Sequence, residues 1–267
     1  MLKAYFDDSC GDEGSKTMLL AGCVHRYNEW ANFSMSWEAA LASSPSIRYL
    51  HMREARSLSG EFARWKARDR DAKVRSLASV IRDYEPWVIV AWMSRSEHDA
   101  VLKPVSPYVI RQAYFLLFHA VIVKLAHWHH AMGVTLPVDF VFDNQGTTGD
   151  QAAKWYWHIK SLEKPEVAAL LSSSLVFQDD KLIVPLQAAY MVAWHHRRRK
   201  DRPNENEAKW PTAPLSGLLR GEINIPKAAL QVTAEQMKKV PGLSLVQDKP
   251  DKKFKAALEE ILRNAKF

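Results

Sequence analysis

Three apolar runs in this chain end in carboxylates. "YFDDSC" finishes on Asp7 and Asp8, "VFDNQG" on Asp143, and "SSLVFQDDK" on Asp179 and Asp180. Asp is a good turn former, because its side chain bonds nearby backbone, so one such ending means little. Three endings point further. Ligand sites in open α/β sheets lie beyond the carboxyl ends of the strands, where acids distant in sequence can meet. Like charges brought together repel, and a cation offsets that repulsion. Carboxylate oxygens are hard donors that suit Mg²⁺ or Mn²⁺ rather than zinc. Two such ions about 4 Å apart serve phosphodiester hydrolysis: one activates water and the other stabilises the leaving oxygen. Asp143 is the cleanest case. Asp179 and Asp180 are the weakest, since a DDK turn suits any surface.

The elements that must position these acids are legible from periodicity. "LKAYFDD" and "TMLLAGCVH" read as a β-hairpin. Trp30, Phe33, Trp37 and Leu41 mark one helical face, with Asn28 as expected N-cap. A charged amphipathic helix is expected over 62–84 and a buried strand over 86–94. A long apolar helix follows, over about 108–132. The strand carrying Asp143 leads to a helix with Asp150 as expected N-cap. The last acid-ended strand leads to a helix opened by Pro185. The order is β-β, helical insertion, then β-α-β-α-β-α. It implies α/β architecture with a mainly parallel sheet, made mixed by the first hairpin. The expected organisation is a main domain over 1–202 with a helical insertion at about 28–84. The polar, Pro-rich stretch after Pro203 reads as a linker, with a C-terminal appendage over 203–267 ending in a helix.

Composition bounds the function. Hydrophobic residues make up 47% of 267, enough for a sizeable core. Lys and Arg number 37 against 30 Asp and Glu, a formal charge of +7 that favours anionic partners such as nucleic acid. Two cysteines, Cys10 and Cys23, fit a reducing cytoplasm and exclude a multi-Cys zinc site. The most apolar segment is interrupted by His119, Lys124 and His127, so no membrane association is expected.

The motifs "YFDDSC", "FDNQ" and "DDK…PLQAAY…AWHHRR" resemble the bacterial family called domain of unknown function 3800, over about residues 2–199. The resemblance implies a ribonuclease H-like fold and a divalent-metal-dependent nuclease. It implies Asp7 and Asp143 as catalytic acids and metal ligands, with Asp8 and Asp180 as further ligand candidates. It also implies Glu54 as a third catalytic acid, because "RYLHMREA" resembles the family segment that supplies a Glu. The family's last helix usually reads Leu-Gln-x-Ala-Asp, whereas this chain has Leu186, Gln187, Ala188, Ala189 and Tyr190. Leu186, Ala189, Tyr190, Ala193 and Trp194 share a face expected to meet the sheet. A phenol of pKa about 10 neutralises no cation. Either another acid such as Asp180 substitutes, or the chain is a degenerate nucleic-acid- or partner-binding module on the same fold.

Other residues carry weaker readings. Arg197, Arg198, Arg199 and Lys200 suit either a solvated helix terminus or contacts to DNA or RNA phosphates. "HWHH" (127–130) lacks the Cys or spaced acid that a zinc site needs, and Cys10 has no His placed beside it to make it a nucleophile. "WYWH" (155–158) is too contiguous to bury whole, so one ring should reach the surface.

Overall fold

The computed structural model describes residues 1–10, 14–105 and 113–238. The expected start of the long helix, 108–112, and the expected C-terminal helix lie outside these residues. Strand β1 (Leu2–Asp8) pairs antiparallel with β2 (Thr17–Arg26), which pairs antiparallel with β3 (Trp87–Ser94). On its other side β1 runs parallel to β4 (Val138–Asp143), and β4 parallel to β5 (Leu171–Gln178). The last described strand, β6 (Leu219–Asn224), lies parallel to β3. The sheet is therefore mixed, in the order β5-β4-β1-β2-β3-β6.

Both faces of this sheet are covered, which explains why its central strands are apolar along their length. Ala4, Phe6, Leu20, Ile89, Phe140 and Phe142 face one helical layer. That layer contains α5 (Ala113–Ala131), α6 (Thr147–Leu162) and α9 (Lys227–Lys238), with α4 (Arg95–Val101) and the short α7 (Pro165–Ala168) beside them. Tyr5, Leu19, Ala21, Cys23, Val90 and Val141 face the opposite layer. This layer holds α1 (Tyr27–Ala42), α3 (Ala67–Tyr84) and α8 (Val184–Asp201), with the short α2 (Met52–Ser57) beside them. The helical insertion thus forms most of one cover. Gly22 shows how tightly the centre is filled: a Cβ there would lie 2.3 Å from the Phe6 ring.

Several boundaries differ from the sequence reading. Helix α1 starts at Tyr27, so Asn28 sits inside its first turn and Arg26 is the N-cap. Helix α6 starts at Thr147 after Gly146, which places Asp150 in the first turn rather than at the cap. There its charge still meets the positive end of the helix dipole. In the segment expected as linker and appendage, β6 joins the sheet and α9 buries Leu230 and Ala234. Polar composition hid that strand, because β6 alternates exposed and buried residues at an edge. Helix α4 is a further addition to the sequence reading; Ser94 caps it by accepting the Glu97 N–H.

Helix α8 lies across the sheet. Near its start, Gln187 Oε1 accepts Trp37 Nε1 at 3.1 Å and Leu50 N at 3.0 Å, and its amide reaches Lys181 O. Near its end, Lys200 pairs with Glu222 of β6 and lies 4.2 Å over the Trp92 ring of β3. With sheet on one side and α1–α3 on the other, α8 is buried nearly all round. Among the described residues no helix is long and apolar enough to cross a membrane.

Candidate active site

The parallel β1–β4–β5 ladder brings three strand ends to one edge. Phe6 pairs with Phe142, so Asp7 and Asp143 stand side by side one residue further on. Alternation sends both toward α8, because Tyr5 and Val141 face that layer. Asp143 is level with Gln178, and the chain leaves β5 directly into Asp179 and Asp180. Asp180 N donates to Asp143 Oδ1 at 3.1 Å, which locks the two strand ends together.

These carboxylates share a strained electrostatic environment. Asp7 is only 5% exposed. Burial first, then Asp143, Asp8 and Asp180, hold its carboxyl well above the usual range. The Asp8 N–H, bonded to Asp7 Oδ1 at 2.6 Å, opposes this only in part. Asp143 is pushed up to about 7 by burial and by Asp180, against the backbone N–H groups of Asn144 and Asp180. Asp180 is raised to about 6, by burial and then by Asp179. All three shifts have the form expected where like charges are held together out of water.

Asp8 points to the other face and has a different task. Its Oδ2 accepts Cys10 N at 2.7 Å and its Oδ1 accepts Gln145 Nε2 at 2.7 Å. It therefore shapes the turn after β1 and ties it to the loop after β4. Arg95 completes the frame by donating to Ser15 O at 2.8 Å and to Cys10 O. The Cys10 thiol is held well above its usual range by burial and by Asp8, so it remains a thiol at neutral pH. Its Sγ lies 3.7 Å from Leu19 O.

The sequence reading missed Tyr114. This residue stands in the first turn of α5, 6% exposed. Its hydroxyl has no hydrogen-bond partner among the described residues. Burial, Asp8 and Asp7 all raise it, so it keeps its proton. It is a buried, unsatisfied donor within electrostatic reach of the acids. Within a long apolar run its position read only as core, and no spacing rule would have separated it from its neighbours.

Glu54 is held within its own segment. Its carboxylate accepts Tyr49 Oη at 3.2 Å and Glu61 N at 3.0 Å, and it closes its own loop. Gly60, with φ of +52°, gives it room: a Cβ there would fall 2.0 Å from Glu54 Oε2. The Glu54 segment is still linked to the acid edge, since Lys181 lies 5.2 Å from the Tyr49 ring. Leu186, Ala189, Ala193 and Trp194 are buried as expected, whereas Tyr190 is half-buried and stacks on His51 with ring centroids 4.9 Å apart.

The basic run is largely engaged within the fold. Arg197 is 5% exposed. Arg198 donates to Glu205 Oε2 at 2.7 Å and lies 4.4 Å over Trp210. Arg199 approaches Glu207 at 3.5 Å, and Lys200 pairs with Glu222. Arg198, Arg199 and Lys200 thus brace the segment after α8, a pairing that the linear sequence could not reveal. His127 bonds Glu163 at 2.9 Å and His129 stacks on Trp87, so "HWHH" belongs to packing. Of "WYWH", Trp157 reaches the surface and Tyr156 is buried.

Among the described residues no three His, Cys, Asp or Glu side chains stand close enough together to hold an ion. Comparison with protein-family models, with curated proteins and with solved structures finds no match to this chain.

Proposed function

We propose that the chain is a divalent-metal-dependent phosphodiesterase acting on nucleic acid, with Asp7 and Asp143 as its central acids and Asp180 beside them. The observation that carries this reading is the adjacency of Asp7, Asp143 and Asp180 at adjoining strand ends, where burial and neighbouring carboxylates raise all three. Carboxylates perturbed by burial and by neighbouring carboxylates are candidates for a functional site. The strand order, with β1 between antiparallel β2 and parallel β4, supports a ribonuclease H-like arrangement.

The donor chemistry fits Mg²⁺ or Mn²⁺: the oxygens are hard, and the crowded negative charge gains from a cation. The side-chain arrangement fits less completely, because three donors do not yet converge. A bound ion would supply an activated water and charge stabilisation at the leaving oxygen. Asp7 and Asp143 would hold it, with the protonated Tyr114 within electrostatic reach. Glu54 acts in this reading only through its loop.

A second reading has its own support. Tyr190 occupies the position of the expected acid and stacks on His51. Together with the lack of a three-donor group among the described residues, this favours a binding module that keeps the fold without hydrolysis. Cleavage assays on single- and double-stranded DNA and RNA with Mg²⁺ or Mn²⁺ separate the two. The nuclease reading expects cut products that disappear in Asp7→Asn and Asp143→Asn. Intact substrate across the panel, with binding retained, overturns it.

A further inference from the structure

A cleft of about 1140 Å³ opens between α2, α3 and the C-terminal half of α8. It exceeds the usual size of small-ligand pockets, roughly 300–1,000 Å³. Eight Lys and Arg side chains line it, against two carboxylates, Asp71 and Asp201. Some of these cations are already engaged. Arg70 bonds Asp71 and Ala55 O, and Arg198 and Arg202 share Glu205. Lys16, Arg56 and Lys209 are exposed and make no ion pair among the described residues. They stand on three different segments: the β1–β2 connection, α2, and the 3₁₀ turn Glu207–Lys209.

We propose that this cleft holds successive backbone phosphates of a nucleic-acid strand. Cations on several walls of an open trough focus a positive potential along its length, which suits a chain of charges better than one point charge. Trp194 and Trp210 also line it but are buried, and Arg198 covers Trp210. Recognition would therefore rest on phosphates rather than on base stacking. The cleft shares the β1–β2 connection with the acids: Asp7 and Asp8 lie at one end, Ser15 and Lys16 at the other. The choice of a strand over a small phosphorylated ligand rests on the proposed nuclease reading; the anion site does not.

The test is fluorescence anisotropy of a labelled 20-nucleotide single strand with the full chain in EDTA, so that binding is read without cleavage. The combined variant Lys16→Glu, Arg56→Glu, Lys209→Glu should weaken binding at least tenfold. Removing three phosphate-binding cations should also lower the slope of log K against log salt by about 2. A control reversing exposed Lys154, Lys164 and Lys227 should stay within twofold. The alanine version of the cleft variant should show the same direction, and thermal unfolding of each variant verifies its fold. The inference is overturned by absent binding in the unaltered chain, by unchanged binding in the cleft variant, or by equal loss in the control. It is also overturned if pyrophosphate competes as well, phosphate for phosphate, as unlabelled strand. Cleft-dependent binding without metal-dependent cleavage would remove only the nuclease reading. Cleavage unaffected by the cleft variant would remove only the cleft.

Discussion

The backbone N–H of Asp180 donates to Asp143 Oδ1 at 3.1 Å, so the end of β5 is fastened to the end of β4 through one of the acids themselves. Asp180 is the weakest of the acids in the sequence, and this bond makes it a neighbour of the strongest. The same bond favours the charged form of Asp143, yet burial and repulsion still raise that carboxyl to about 7.

These raised carboxyls predict a stability cost at alkaline pH. A carboxyl whose pKa is higher folded than unfolded binds more protons in the native state, so stability falls as pH rises through the window. For Asp143 that window runs from about 4 to about 7, and for Asp180 from about 4 to about 6. Asp143→Asn should therefore stabilise the protein at pH 8, on the order of 2 kcal/mol after allowance for solvent screening. Urea unfolding at pH 5 and pH 8 checks this: the gain should be small at the lower pH and clear at the higher.

Buried histidines predict the opposite trend on the acid side. Burial lowers His119, His129 and His195 to about 4 and His196 to about 3. Each binds fewer protons folded than unfolded, so stability is lost as pH falls from about 6.5 toward 4. These four act against the carboxyls there, so the two trends partly offset one another below pH 6.5. His196→Gln should lessen the loss between pH 6.5 and pH 4 in thermal melts; an unchanged slope would contradict it.

Gly22→Ala tests the packing behind the acid edge. The added methyl would stand 2.3 Å from the Phe6 ring, which is itself stacked on Phe142 at 5.1 Å. Overpacking of this kind costs about 1–3 kcal/mol. Chemical denaturation should show that loss, and the second change Phe6→Leu should recover part of it.

Arg198→Ala should destabilise by about 1–2 kcal/mol, because it removes both the Glu205 pair and the cover over Trp210. Thermal melts at low and high salt separate the two contributions. The ring-packing part should persist at 1 M salt, while the ion-pair part should shrink.

Much of this architecture follows from local patterns. The apolar runs mark β1 to β5, and the three acid endings fall at one sheet edge because β1, β4 and β5 are parallel. What the pattern misses depends on contacts distant in sequence. β6 is half polar at a sheet edge, and its membership rests on pairing with β3. Tyr114 sits in the apolar first turns of α5, so only the fold shows that its hydroxyl lies within electrostatic reach of Asp7 and Asp8. The cationic run at 197–200 looks available for phosphate, yet Glu205, Glu207 and Glu222 return from later in the chain to meet it. Cations scattered at Lys16, Arg56 and Lys209 carry no linear signal, and folding gathers them into one cleft.

The central claim is that Asp7 and Asp143 jointly take a divalent cation. Isothermal titration of the full chain with Mn²⁺ at pH 8, where Asp143 is ionised, tests it most directly. The account predicts saturable binding in the unaltered protein that is lost in both Asp7→Asn and Asp143→Asn. Absence of binding in the unaltered protein, or equal binding in the two variants, would contradict it.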